Sequence, residues 1–300
     1  MKRRLSLALA AVVLATGLAA CSGGGTAASS SAGTAGAGKP VTVTVGVTDA
    51  SKDYWKTFVD LAAQQGITVK LQNFTDYQQP NPILSQGGLQ LNQFQHLLFL
   101  ASYNVKAKAD LVPIGATAVY QLGLYSDKGY KDPSAIPAGG KIAIPNDPTN
   151  QARALLVLQS AGLVDLKDGG TAFSTPADVL PGSKVTVVPV DANQTAVQLK
   201  SLDGAVVNNN FASDAGIDPT TAIYSDLKDL KAAEPYINVW VARAKDKDNP
   251  TFAKLVQIYH SPEVTKELLA ESKGTAVSVD ETPAELQTIL TRLQDQITAS

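Results

Sequence analysis

From residue 41 onward apolar and polar positions alternate with a period of two. Val41, Val43, Val45 and Val47 are set against Thr42, Thr44 and Thr48, so residues 41–48 are expected to form a strand. Trp55, Phe58, Val59 and Ala62 then recur at i, i+3, i+4 and i+7. That spacing predicts an amphipathic helix capped by Ser51 and stopped at Gly66. Residues 67–74 return to a strand pattern, giving a β-α-β opening. Further strands are expected at 111–114, 123–126, 141–145, 185–190, 205–208 and 237–242. Helices are expected at 148–161, with Asp147 as cap and Pro148 in the first turn, and at 194–202. The C-terminal third reads as helical at 252–259, 262–272 and 283–297. Strands alternating with helices predict an α/β fold with parallel sheets, whose functional groups sit beyond the carboxyl ends of the strands. No internal repeat is visible.

The first 40 residues follow different rules. Lys2, Arg3 and Arg4 precede a short apolar run over 5–18, then Leu18-Ala19-Ala20-Cys21. A basic start, a run too short to span a bilayer and small residues before a cleavage point predict a signal peptide over 1–20. Cys21 is the only cysteine, so no internal disulfide can form. Its place directly after Leu-Ala-Ala resembles a lipobox, with Cys21 as the lipidated residue and palmitate-type chains as the anchor. Residues 22–38 are Ser, Gly, Ala and Thr, followed by Lys39-Pro40, with almost no bulky apolar side chain, so 21–40 is expected to be a flexible tether.

Removal of 1–20 takes away three basic residues and no acidic one, and moves the formal net charge from −2 to −5. A mildly acidic domain lacks the basic footprint of a nucleic-acid binder. Two histidines and no cysteine beyond residue 21 argue against a zinc site, and no cofactor or metal is expected. The sequence holds no Gly-x-Ser-x-Gly elbow, no His-Glu-x-x-His and no paired-His arrangement, so an enzyme is not expected.

Polar and aromatic residues crowd three expected strand ends: Asn73 to Tyr77, Phe94 to Phe99, and the pair formed by Ile144 to Asn150 with Val206 to Phe211. Arg153 falls in the second turn of the 148–161 helix, where a helix N-terminus and a planar guanidinium together suit a carboxylate; a solvated helix charge is the alternative. Asn208 ends an apolar strand with neutral donors and acceptors that could orient a zwitterion, whereas Asn209 reads as a turn residue that tolerates the left-handed region. His96 lies between aromatics and reads as a packing residue rather than a catalyst. Tyr77, Phe94, His96 and Phe99 could form an aromatic cage for an apolar or thioether side chain, or be core.

At these residues the chain resembles the NlpA/MetQ family of methionine-binding lipoproteins. The resemblance is carried by Phe74-Thr75-Asp76-Tyr77, Phe94-Gln95-His96 and Gly123-Leu124-Tyr125-Ser126. It continues through Ile142-Ala143-Ile144-Pro145-Asn146-Asp147-Pro148-Thr149-Asn150 to Arg153-Ala154-Leu155, and through Pro235-Tyr236-Ile237-Asn238-Val239, over about residues 41–270. It implies a two-lobed periplasmic-binding-protein-like fold, with a parallel or mixed sheet in each lobe and crossing hinge strands. Residues 41–120 plus 237–300 would form lobe 1, and 121–236 lobe 2. It also implies a monomer that binds an amino acid, methionine by preference, and delivers it to an ABC permease and ATPase from the outer face of the cell membrane. Arg153 would pair with the ligand carboxylate and meet Asn208 across the interlobe gap. Tyr77, Phe94 and His96 would wall the side-chain pocket, with Phe99, Asn150 and Asn210 beside them. Three places depart from the family pattern: Gly87 to Leu91 carries no acid, Leu98-Phe99 replaces Pro-Tyr, and Tyr120-Gln121 replaces Glu-Pro. Those departures leave open a second reading, the same fold acting as an adhesin or scaffold with a degenerate cleft.

Overall fold

The alternating Val/Thr segment forms strand β1 (Val41–Val47), and the i, i+3, i+4, i+7 stripe after it forms helix α1 (Asp53–Gln64). This computed structural model describes residues 41–226 and 233–299. The expectations for the leader 1–20, for Cys21 and for the tether 21–40 lie outside the described residues. The chain continues as β2 (Ile67–Asn73), α2 (Pro80–Ser85), β3 (Leu91–His96), α3 (Leu97–Ala107), β4 (Leu111–Ala116), β5 (Ala118–Tyr120) and β6 (Leu122–Tyr125). Next come β7 (Gly140–Pro145), α4 (Pro148–Ser160), β8 (Val185–Val190), β9 (Gly204–Asn208), α5 (Asn209–Asp214) and β10 (Tyr224–Ser225). The last are β11 (Asn238–Arg243), α6 (Pro250–Tyr259), α7 (Pro262–Ser272), β12 (Ala276–Ser278) and α8 (Pro283–Ala299).

Two five-stranded sheets organise these elements. The first runs β2-β1-β3-β11-β4 and the second β10-β6-β9-β7-β8; β5 and β12 pair separately as an antiparallel ribbon. Both sheets are mixed, which corrects the parallel sheets read from the alternation alone. β1 is parallel to β2 and β3, but β11 returns antiparallel between β3 and β4. In the second sheet β7 is parallel to β8 and β9, while β6 and β10 run antiparallel. Helices α1 and α4 make the crossovers between the parallel neighbours β1-β2 and β7-β8, whereas the antiparallel neighbours are strands far apart in the chain.

Strand β11 shows why the first sheet needs cover on both faces. Trp240 and Ala242 point into one core, with Trp55 and Phe58 of α1 and Leu255 and Tyr259 of α6. Val239 and Val241 point into the other, with Leu97 and Leu100 of α3 and Leu286, Leu290 and Leu293 of α8. Trp240 is 0% exposed and its ring centroid lies 5.5 Å from Phe58 and 5.9 Å from Trp55. Aromatic pairs at these separations contribute about 0.5–1.5 kcal/mol beyond the area they bury.

Three local expectations need correction. Lys52, not Ser51, occupies the N-cap of α1, and its side chain makes no capping bond. The helix expected at 194–202 is instead a pair of 3-10 turns, Ala192–Gln194 and Ala196–Lys200. Leu199 is buried there but Val197 is 53% exposed, so no apolar stripe rewards full α-turns. Asn209 opens α5 rather than adopting a left-handed turn.

Candidate functional site

Parallel strands deliver their carboxyl ends to one place, and in this chain three of them run with little or no loop into a helix. β3 ends at His96 and α3 begins at Leu97; β9 ends at Asn208 and α5 begins at Asn209; β7 ends at Pro145 and α4 begins at Pro148. Strand-tip side chains and helix N-termini therefore converge on one cavity. It holds about 610 Å³ of non-atom space, counting the part open to solvent. Tyr77, Phe94, His96, Phe99, Asn150, Arg153, Asn208 and Asn210, the residues singled out from the sequence, all line it. Asp49, Gln93, Tyr120 and Asn238 line it too, and sequence reasoning had not named them as site residues. Asp49 follows β1 at its carboxyl end, where the strand-end rule would have found it; Asn238 opens β11, whose antiparallel course brings its amino end to the same edge, which that rule does not cover.

A chain of amides sets the polarity of the cavity wall. Asp147 caps α4 by accepting from the backbone N–H of Asn150 at 3.0 Å. Its two carboxylate oxygens also accept from Asn150 Nδ2, at 3.1 and 3.2 Å. That fixes the amide: Asn150 Nδ2 faces the carboxylate, so Asn150 Oδ1 faces the cavity side. There Oδ1 accepts from Asn208 Nδ2 at 3.1 Å and meets His96 Nε2 at 3.3 Å. Asn208 has then committed its donor, and its Oδ1 is buried with no hydrogen-bond partner. Asn210 is in the complementary position. Its Oδ1 accepts from the Tyr77 hydroxyl, and its Nδ2 is buried without a partner. The wall thus offers one unpaired acceptor and one unpaired amide donor. Buried polar atoms in this state cost about 1–3 kcal/mol each until something meets them.

His96 is neutral in this setting. Its Nδ1 accepts from the backbone N–H of Phe99, capping α3 at 3.1 Å, so the proton sits on Nε2 and points at Asn150 Oδ1. Burial first, and the nearby Arg153 charge second, pull its pKa from 6.5 to about 3, against the Asn150 hydrogen bond. Burial also raises the Asp147 carboxyl, opposed by its bonds to Asn150. It raises the Tyr77 phenol as well, keeping that hydroxyl a donor.

Arg153 is 5% exposed and heavily engaged. Its Nε donates to Asp226 at 2.6 Å, its Nη2 donates to the Tyr120 carbonyl at 2.8 Å, and its Cζ lies 4.1 Å from the centre of the Tyr236 ring. Nη1 keeps its protons unassigned among the described residues. Asp226 was missed in the sequence because it stands 73 residues from Arg153 and carries no motif. Arg153 and Asn208 do not face each other across the gap, which corrects that expectation. α4 and β9 both belong to the second-sheet side, and Asn150 sits between the two. The opposite wall comes from the first-sheet side: Asp49, Tyr77, Phe94, His96 and Phe99. Tyr77, Phe94 and Phe99 form a ring cluster with centroids 5.8–6.3 Å apart.

The departures from the family pattern fall unevenly. Leu98 is core, 0% exposed, and touches none of this; Phe99, Tyr120 and Gln121 are on the wall. Gly87 and Gly88 pack near Arg243 and Ile83, away from the cavity.

Comparison with known proteins agrees with this architecture. Residues 43–279 match the NlpA lipoprotein family. The chain is 34% identical over 239 residues to the probable D-methionine-binding lipoprotein MetQ of Pasteurella multocida, covering 78% of this chain and 85% of that one. It superposes on the substrate-binding protein of a methionine transporter from Streptococcus pneumoniae with a TM-score of 0.73 and 34% identity, covering 79% and 95% of the two chains. A nutrient-binding protein from Burkholderia cenocepacia, solved with methionine bound, gives a TM-score of 0.72 at 36% identity, covering 79% and 99%. The matched span includes every cavity residue named above, so the chain belongs to the NlpA lipoprotein family, whose members are substrate-binding proteins and not enzymes.

Proposed function

We propose that this chain is a lipid-anchored binding protein that captures one free amino acid, methionine by preference, and hands it to an ABC importer. The observation that carries the reading is the set of uncommitted groups in one cavity. Arg153 Nη1 and Asn210 Nδ2 can donate to a carboxylate, and Asn208 Oδ1 can accept from an ammonium. The ring cluster of Tyr77, Phe94 and Phe99 suits a thioether, whose sulfur packs well near ring edges. The names of the Pasteurella and Streptococcus relatives, and the methionine held by the Burkholderia protein, support methionine over other amino acids.

In this reading residues 41–120 with 237–300 and residues 121–236 act as two lobes. Tyr77 to Asn210 and His96 to Asn150 are bonds between them that form on closure. Ligand contacts favour the closed state, which a membrane permease and its ATPase recognise. The chain works as a monomer tethered to the outer face of the membrane through Cys21.

Thermal unfolding with and without L-methionine tests the reading. A ligand that binds only the native state stabilises it by about 2.7 kcal/mol at a concentration of 100 Kd. We expect a rise in Tm with L-methionine and none with methionine amide, which lacks the carboxylate. No shift with any common amino acid would contradict the reading.

A further inference from the structure

The wall opposite Arg153 carries a carboxylate that the amide network does not involve. Asp49 follows β1 at the mouth of the cavity. Its Oδ1 accepts from Trp55 Nε1 at 2.8 Å, and its Oδ2 accepts from the Tyr54 hydroxyl. Both donors belong to the first turn of α1 and are buried, at 0% and 4% exposure, so they fix where the carboxylate points. Each oxygen keeps acceptor capacity beyond its one donor.

The nearest candidate to neutralise it is occupied elsewhere. The Lys52 ammonium sits 2.5 Å from Ser213 Oγ, 3.1 Å from Glu271 and 3.5 Å from Asp214, and acts on Asp49 only at longer range. Among the described residues no cation forms an ion pair with Asp49. Arg153, the cation of the cavity, is paired with Asp226. Burial raises the Asp49 carboxyl above its ordinary value, against the bonds from Tyr54 and Trp55 and the more distant Lys52 charge. In the same cavity Asn208, 8% exposed, presents its unpartnered Oδ1. Two acceptors, one of them charged, therefore line a space whose cation among the described residues, Arg153, bonds Asp226 and the Tyr120 carbonyl and neither of these two acceptors. Asp49 is half-buried, and a carboxylate partly withdrawn from water gains from a cationic partner.

We propose that Asp49 is the contact for the ligand's ammonium group, and the residue that makes this cavity select amino acids over carboxylic acids lacking the amine. The inference rests on the reading of the cavity as an amino-acid site. It adds to that reading the group that discriminates. Tyr54 and Trp55 are its positioning residues, since they hold the carboxylate without reaching the ligand.

Calorimetric titration with L-methionine and with 4-(methylthio)butanoate, the same molecule without its ammonium, reads the selectivity directly. The wild-type chain is expected to bind methionine about 100-fold more tightly than the desamino acid, because the latter leaves buried acceptors unmet. In Asp49→Asn, methionine binding is expected to weaken about 30-fold or more while the desamino acid changes less than about threefold, so the ratio collapses. Retained binding of the desamino acid shows that the variant cavity is folded. An Asp49→Asn variant that keeps the wild-type ratio overturns the role of Asp49 alone. A wild-type chain that binds neither compound overturns the amino-acid reading as well. A crystal structure of the wild-type chain with methionine settles the point without a variant. An ammonium nitrogen within hydrogen-bond distance of Asp49 supports the proposal, and one that touches only other groups overturns it.

Discussion

Arg153→Ala is expected to lower the affinity for methionine by about three orders of magnitude, a loss of roughly 4 kcal/mol. Two costs add. The ligand carboxylate loses the cation that lines the cavity among the described residues, and Asp226, whose side chain is 24% exposed, loses the guanidinium it binds at 2.6 Å and is left as an uncompensated charge that repels the ligand carboxylate. Truncating one member of a buried, hydrogen-bonded charge pair leaves the other uncompensated, and that penalty is commonly larger than the value of the pair itself. Arg153→Lys separates the two. A lysine keeps the charge but has one ammonium in place of a planar fork. It cannot serve Asp226, the Tyr120 carbonyl and a ligand together, so an intermediate loss is expected. Calorimetry on variants whose unfolding is measured in parallel checks both. Methionine affinity within tenfold of wild type in Arg153→Ala would show that the carboxylate is held elsewhere.

The second large effect concerns acid. The pKa of His96 falls from 6.5 to about 3 on folding, so the unfolded chain binds a proton at this position that the native chain refuses. Stability from this group is complete above pH 6.5 and is lost as pH falls toward 3, where it levels off. A depression of this size corresponds to something on the order of 5 kcal/mol between those limits. Asp49 and Asp147 act in the opposite sense, because their raised carboxyl groups take up protons more readily in the native state. Asp218 and Glu271, which are lowered, act in the same sense as His96. The difference between wild type and His96→Asn isolates the histidine, and asparagine retains an acceptor for the Phe99 N–H that caps α3. Denaturant unfolding at intervals from pH 7 to 4 should show the variant losing less stability on acidification than wild type. Parallel curves would mean that His96 titrates normally and is not buried neutral.

Strand β1 and helix α1 were legible because their large apolar residues fall on one face, Val43, Val45 and Val47 in the strand and Trp55, Phe58 and Ala62 in the helix, which leaves a clean period in the sequence. Helix α3 was not. Leu97, Leu98, Phe99, Leu100 and Ala101 are all buried, and an apolar run with no exposed face gives periodicity nothing to detect. Strand β3 was obscured for the opposite reason: Asn92, Gln93 and Gln95 are polar and buried. Asn92 and Gln95 spend their amides on Asn81, in a cluster that closes at 2.6–2.9 Å. Only the folded structure shows those partners.

The site followed the same logic. Asn150, Arg153 and Asn208 lie at strand-helix junctions that the sequence marks with Asp147-Pro148 and Val206-Val207, so their convergence was foreseeable. The partners of Arg153 were not. Asp226 and Tyr236 reach it from distant segments, and the guanidinium is shared between them, the Tyr120 carbonyl and whatever enters the cavity. Which atoms of Asn208 and Asn210 are left over was likewise invisible, because it depends on how Asp147 orients Asn150.

The central claim is that this cavity grips a small molecule bearing both an ammonium and a carboxylate. Its most direct test is mass spectrometry of the compounds released when the purified native protein is denatured. The account predicts a single free amino acid, methionine first, in up to equimolar amount and absent from the Arg153→Ala preparation. Release of a solute without an amino-acid head group, or of the same solute in equal amount from Arg153→Ala, would contradict it.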